Sequence, residues 1–150
     1  VTFHCIGPTD EDSAYYEDCK RLVRSFKMDK KFNFTGRKDV AEYYAFLDVI
    51  CLTSVREAQP LVILEAYSAG IPVVSTKVGN VPELLDYDDR FLAPPKDPGK
   101  IARGVKFIYD NRKIVEKIVA QNRDKVIRFY SREAVYKRYG DLYHDLSGVS

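Results

Sequence analysis

The chain has 150 residues, of which 45% are hydrophobic and 31% charged, as is typical of a globular domain with its own core. Its 24 lysines and arginines nearly cancel 22 acidic residues, and a net charge of +2 argues against a nucleic-acid partner. No apolar run approaches the roughly 18 residues of a membrane-spanning helix. The three cysteines form no C-x-x-C pair. We therefore expect them to be reduced and buried within the fold, and the protein to lie in a reducing compartment, the cytoplasm.

Short β-rich runs alternate with amphipathic stretches from the start of the chain. The first strand is predicted over Val1–Ile6, and the periodicity of the next stretch predicts a helix up to about Lys27. A second strand, Phe32–Thr35, ends at Gly36. Asp39 can cap the helix that follows. This alternation is typical of βα units on a parallel sheet.

The middle of the chain contains its most apolar runs. Val49–Thr53 and Pro72–Thr76 are predicted to be strands buried on both faces. Between them, Pro60 fits the first turn of a helix that ends at Gly70. A short strand is expected over Phe91–Ala93.

The remainder of the chain has a helical pattern throughout. Asp97 begins one helix, a second carries Ile114, Ile118 and Val126 inward, and Ser131 caps a third. A tyrosine-rich stripe, expected to be core and domain-docking surface, comprises Tyr130, Tyr136, Tyr139 and Tyr143. Together these elements predict an α/β fold with a Rossmann-like parallel sheet flanked by helices and a helical C-terminal tail.

Ligands of open parallel sheets bind beyond the carboxyl ends of the strands. The loops predicted there are Gly7–Thr9, Thr35–Arg37, Ser54–Gln59 and Lys77–Asn80. A dinucleotide fingerprint and a P-loop are both absent from the sequence. The D-x-D of Asp86–Asp88 is interpreted as a solvated loop. No His, Asp or Glu cluster has metal-ligand spacing, so we expect neither metal nor cofactor.

The sharpest pattern is a pair of carboxylates eight positions apart, with Glu57 in a loop and Glu65 in the helix that follows. Eight residues make about two helical turns, so both can face one cleft. Glu65 interrupts an apolar stretch, where a carboxylate is costly without partners. A ribose diol can supply them while the helix N-terminus faces phosphates. Alternatively, Glu65 is structural and accepts hydrogen bonds from backbone amides of a neighbouring loop.

This spacing resembles the E-x7-E motif of family-four retaining glycosyltransferases, which have the two-domain GT-B fold. Flanking segments are similar to that family too: Gly36–Arg37, Leu47–Val49, Thr53–Ser54 and Pro72–Val74. The turn at 7–12 and the segment 59–62 resemble glycosyltransferases of Pel-type exopolysaccharide synthesis. The resemblance implies that residues 1–150 are a single C-terminal, donor-binding domain. It lacks the family's first strand and helix and the N-terminal acceptor domain, so we expect this piece alone to be inactive.

The resemblance also implies roles for individual residues. Glu57 would orient the hydroxyls of the donor hexose, rather than act as a nucleophile, and Glu65 would bind the ribose. Sugar and phosphate would meet the amides of Gln59, Leu61 and Val62. Thr35, Gly36 and Arg37 would line the base pocket, and Ser54 is a further donor-binding candidate. The implied partners are a nucleotide-sugar, expected to be a UDP-sugar, and the chain's own acceptor domain.

The implied reaction transfers a hexose to a glycan or lipid acceptor, and the resemblance allows peripheral membrane association of the complete enzyme. The sequence departs from the family at Ala58-Gln59-Pro60, where a glycine-containing turn is usual. Pro60 has no N–H, so one amide contact with the donor is lost. Two alternatives share the architecture, namely a nucleotide-sugar 2-epimerase-like domain and a stand-alone nucleotide-binding module.

Overall fold

The computed structural model describes residues 1–148, within which the chain forms five strands and seven helices. The strands are β1 Phe3–Ile6, β2 Phe32–Gly36, β3 Ile50–Leu52, β4 Val73–Thr76 and β5 Leu92–Ala93. The helices are α1 Ser13–Ser25, α2 Val40–Tyr44, α3 Leu61–Ser68, α4 Val81–Leu84, α5 Pro98–Asp110, α6 Arg112–Tyr130 and α7 Arg132–Ser147. No helix in this part of the chain combines the length and apolarity needed to cross a membrane.

The chain divides into two compact units, the first from Val1 to Tyr43 and the second beginning at Tyr44. In the first unit, β1 and β2 pair in parallel, with the rings of Phe3 and Phe32 stacked across the register. The carboxylate of Asp12 accepts a hydrogen bond from a backbone amide of the first turn of α1 and so fixes where this helix begins.

The second unit is built on the parallel sheet β3-β4-β5, in which every residue of the central strand β4 is buried. Helix α5 packs against β4 and β5, and α3 packs against α6. Gly104 of α5 permits this close packing, because a Cβ at this position would lie 2.8 Å from a side-chain carbon of Val74. The predicted parallel sheet flanked by helices is confirmed.

Strand β3 differs from its prediction. Ile50 and Leu52 are half-buried and Cys51 is exposed, so the expectation of burial on both faces is wrong. Within the described residues, the strand lies at the edge of the sheet β3-β4-β5, next to β4. The expectation of buried cysteines is also wrong for Cys5 and Cys51, which are exposed, and only Cys19 is partly covered.

The helical tail is present, and two of its three predicted inward positions are confirmed, since Val126 is buried and Ile118 is half-buried against the core. Helix α6 buries Val115, Val119 and Val126, whereas Ile114 is 48% exposed. No described residue of α7 is buried, so its tyrosines are surface residues and not core. Ser131 caps α7 as predicted, through a hydrogen bond that its hydroxyl accepts from the amide of Ala134.

Candidate functional site

In the loop between β3 and α3, two hydrogen bonds connect Glu57 to Ser54 and Ser54 to the end of β4. Ser54 Oγ donates a hydrogen bond to Glu57 Oε1 at 2.7 Å. The carbonyl of Ser54 in turn accepts from Thr76 Oγ1 at 2.6 Å. Thr76 ends the central strand β4 and is only 2% exposed. The half-buried Glu57 is therefore anchored, through Ser54, to the core of the unit.

The turn after β4 supports the backbone of the same loop. Gly79 has a φ of +50°, and a Cβ there would lie 2.3 Å from the carbonyl oxygen of Glu57 and 2.4 Å from that of Ala58. The amide of Asn80 donates to the Ala58 carbonyl at 2.8 Å. Only glycine combines this backbone conformation with so close an approach.

Helix α3 begins immediately after this loop. Pro60 is its buried N-cap residue, in an extended conformation and without a side-chain capping bond. The first amides of a helix have no partner within it, so those of Leu61 and Val62 are donors at the positive end of the helix dipole. The next amide, of Ile63, donates to the Pro60 carbonyl at 3.3 Å. Gln59 precedes the cap and is exposed.

Glu65 lies in the second turn of α3, on its exposed side. Ile63, Ala66 and Tyr67 face the core. At about 100° per residue, Glu65 points away from that buried face. The expectation that the apolar surroundings in sequence bury this carboxylate is therefore wrong.

The partner of Glu65 is a side chain and not a set of backbone amides. The hydroxyl of Tyr44, at the end of α2, donates to Glu65 Oε2 at 2.7 Å. Partial burial of the ring, together with this hydrogen bond and the charge of Glu65, raises the pKa of Tyr44 well above its usual value. A phenol is already protonated at neutral pH, so this hydroxyl is available as a hydrogen-bond donor there. The sequence does not reveal this contact, because two residues 21 positions apart leave no local pattern.

Tyr44 and Glu65 share the wall of an open cavity of about 540 Å³. Its remaining lining residues are Leu61, Leu64, Ser68, Ala69, Val126, Ile127, Tyr130 and Ser131. The volume lies within the range of small-molecule sites, and a mostly apolar wall with a few polar groups is typical of them.

The residues predicted to contact the base lie in the first unit, at the end of β2. Thr35 Oγ1 donates to the carbonyl of Gly36 at 3.0 Å, and Gly36 has a φ of +71°. Arg37 pairs with Glu11 at 2.7 Å, with both side chains exposed. Such a surface pair contributes little free energy, so Arg37 can exchange it for another anion at small cost.

The D-x-D segment is a surface loop, as predicted, and its carboxylates are engaged by cations. Asp86 pairs with Lys125, and Asp88 with Arg90 at 2.6 Å. The neighbouring Arg90 lowers the pKa of Asp88. Within residues 1–148, no group of three His, Cys, Asp or Glu side chains is arranged to hold a metal ion.

Comparison with known families defines the class of this protein. The family model described as glycosyl transferases group 1 matches residues 1–111, and the chain belongs to this family. Its fold matches GT-B glycosyltransferases, in which it corresponds to the C-terminal domain.

Two curated relatives illustrate the similarity. N-acetyl-alpha-D-glucosaminyl L-malate synthase of Bacillus anthracis is 27% identical over 128 residues, which are 84% of this chain and 34% of that protein. The uncharacterized glycosyltransferase MJ1607 of Methanocaldococcus jannaschii is 31% identical over 131 residues, 86% of this chain and 33% of that protein. The chain thus spans about a third of the length of these relatives.

Solved structures give the same fold. Sucrose-phosphate synthase from Thermosynechococcus elongatus superposes with a TM-score of 0.84 at 25% identity, covering 98% of this chain and 39% of that one. Anabaena Alr3699/HepE, solved in complex with UDP, superposes with a TM-score of 0.90 at 19% identity, covering 97% of this chain and 41% of that one.

Proposed function

We propose that this chain is the donor-binding part of a family-four retaining glycosyltransferase, which transfers a hexose from a UDP-sugar to a glycan or lipid acceptor. Its resemblance to Pel-type enzymes favours exopolysaccharide as the product. The observation that carries the proposal is the arrangement around the N-terminus of α3. Glu57 is held by Ser54 before the helix begins, and Glu65 by Tyr44 in its second turn.

The N-terminus of α3 is the proposed binding site for the diphosphate of the donor. The amides of Leu61 and Val62 supply hydrogen-bond donors, and the helix dipole favours negative charge at this end. The side chain of the N-cap residue Pro60 has no hydrogen-bond acceptor, so it does not compete for these amides. Gln59, exposed beside them, is the proposed polar contact to the sugar.

Glu65 is the proposed ribose ligand. Its carboxylate is exposed, so binding a diol does not require a buried core to open. A carboxylate has about four lone-pair sites, and Tyr44 occupies one of them. The remaining sites suit the two hydroxyl donors of a ribose. The complex of Anabaena Alr3699/HepE with UDP supports a uridine nucleotide as the ligand.

Glu57 is the proposed contact to the donor hexose. Ser54 uses Oε1, which leaves Oε2 as an acceptor for a sugar hydroxyl. We infer an orienting role and not a nucleophilic one. Thr35, Gly36 and Arg37 remain predicted contacts to the base, and Ser54 a predicted donor-binding residue that acts here by holding Glu57.

A nucleotide screen by isothermal titration calorimetry tests the proposal on the protein with its complete chain. We expect UDP and UDP-glucose to bind more tightly than GDP and GDP-mannose. Glu65→Ala should weaken UDP binding, whereas Glu116→Ala, which removes an exposed glutamate from α6, should not. Absence of binding by every nucleoside diphosphate, or equal UDP affinity in the wild type and Glu65→Ala, would contradict the proposed site.

A further inference from the structure

The side chain of Glu65 is both exposed and held in one place, a combination that requires an explanation. An exposed glutamate samples many rotamers, and fixing it for a ligand costs conformational entropy. Here the Tyr44 hydroxyl meets Glu65 Oε2 at 2.7 Å. The carboxylate is thus restrained before any ligand arrives.

Tyr44 is well suited to restrain a carboxylate. Its ring is half-buried at the end of α2 and rotates about only two side-chain bonds, so it loses little entropy as a support. A phenol is protonated at neutral pH at its ordinary pKa of about 10, and burial and Glu65 raise the pKa of Tyr44 further. The hydroxyl can therefore donate to Glu65, and one such hydrogen bond leaves the other acceptor sites of the carboxylate open.

We propose that Tyr44 is a positioning residue for the donor nucleotide, which sets the Glu65 carboxylate in the orientation that accepts the ribose hydroxyls. Tyr44 acts through Glu65 and not by touching the ligand. The inference rests on the proposed function, since it requires Glu65 to bind ribose. Both residues line the 540 Å³ cavity, so the pair is accessible to a small molecule.

The test compares UDP with 2′,3′-dideoxy-UDP, which lacks both ribose hydroxyls, as ligands of the protein with its complete chain. Preorganising one side chain is worth about three- to tenfold in affinity. Tyr44→Phe keeps the ring and removes only the hydroxyl, so UDP should bind about three- to tenfold more weakly and the dideoxy analogue equally well. The double variant with Glu65→Ala should bind UDP no more weakly than Glu65→Ala alone.

The matched control is Tyr109→Phe, which removes a hydroxyl from an exposed tyrosine of α5 and should change neither affinity. If Glu65→Ala weakens UDP binding but Tyr44→Phe leaves it unchanged or tightens it, the positioning role is wrong and the proposed function stands. Equal weakening of both ligands by Tyr44→Phe would show that the tyrosine supports packing or touches the ligand. If Glu65→Ala has no effect on UDP, the ribose assignment and this inference both fail.

Discussion

The loop that carries Glu57 and the helix surface that carries Glu65 differ in how firmly the fold supports each carboxylate. Glu57 is half-buried and is anchored through Ser54 to the end of the central strand, and Gly79 packs against its backbone. Glu65 lies on an exposed helix face and is held by the hydroxyl of Tyr44. Each carboxylate accepts one side-chain hydrogen bond, but the loop backbone behind Glu57 is also anchored to the core, whereas Glu65 lies on the exposed face of a helix.

This difference matches the two parts of the proposed donor. A reacting sugar must be placed accurately, because small errors in position at the reacting centre are costly in rate. A nucleoside needs a fixed acceptor but no reacting geometry, and one hydrogen bond can provide it. Substitutions that strain the loop backbone on the Glu57 side should therefore disturb the fold as well as sugar binding, whereas those on the Glu65 side should act on affinity alone.

The largest effect is expected from Gly79→Ala. The new methyl group would meet the carbonyl of Glu57, and a positive φ is unfavourable for alanine. We expect a melting temperature about 5–10 °C lower and weaker UDP-glucose binding, since strain and overpacking together cost roughly 2–4 kcal/mol. Differential scanning fluorimetry and calorimetry measure the two effects.

Gly140→Ala is the matched control, because a Cβ at this position of α7 meets no atom within 4 Å. Alanine is also the better helix former, so this variant should be as stable as the wild type or slightly more so. A Gly79→Ala variant that is equally stable would show that the loop tolerates movement, and the contrast between the two carboxylates would lose its structural basis.

A smaller and more selective effect is expected from Ser54→Ala. The substitution frees Glu57 Oε1 and leaves the backbone contacts of the loop in place. UDP-glucose affinity should fall about three- to tenfold, the range for losing one preorganising hydrogen bond, and UDP affinity should not change. Calorimetry with both ligands decides this, and equal losses for UDP and UDP-glucose would show that Ser54 contacts the nucleotide directly.

The smallest effect is expected from removing metal ions. Helix N-termini and basic side chains can stabilise a leaving diphosphate, so sugar-nucleotide turnover by the complete enzyme should be unchanged by EDTA. The measurement is UDP release with and without the chelator. Turnover that is abolished by EDTA and restored by Mg²⁺ or Mn²⁺ would mean that a metal ion, and not the helix N-terminus with basic side chains, stabilises the leaving diphosphate.

The sequence predicted the order of the elements well, because apolar periodicity and caps are local signals. Asp97 and Ser131 cap the helices that the sequence predicts them to begin, in both cases through their side chains. Burial was harder to predict, because it depends on which elements cover a strand or helix. The exposure of Cys51 and of Ile114 could not be inferred from their apolar neighbours.

The two carboxylates of the candidate site could be predicted from the sequence, but the residues that support them could not. The spacing of Glu57 and Glu65 stands out in the sequence. Tyr44 contacts Glu65, and Gly79 contacts the backbone of Glu57, only because the fold brings distant segments together. Local chemistry also misled in one case, since the apolar neighbours of Glu65 suggested burial. On a helix, however, residues next to each other in sequence point in different directions.

The central claim is that the two carboxylates bind different parts of one nucleotide-sugar. Calorimetry of UDP and UDP-glucose with wild type, Glu57→Ala and Glu65→Ala in the complete chain tests it most directly. Charge-assisted hydrogen bonds predict that Glu65→Ala weakens both ligands by about 10- to 100-fold. Glu57→Ala should weaken UDP-glucose while leaving UDP unchanged. Equal losses for both ligands in both variants, or a lower melting temperature of Glu65→Ala with unchanged UDP affinity, would contradict the account.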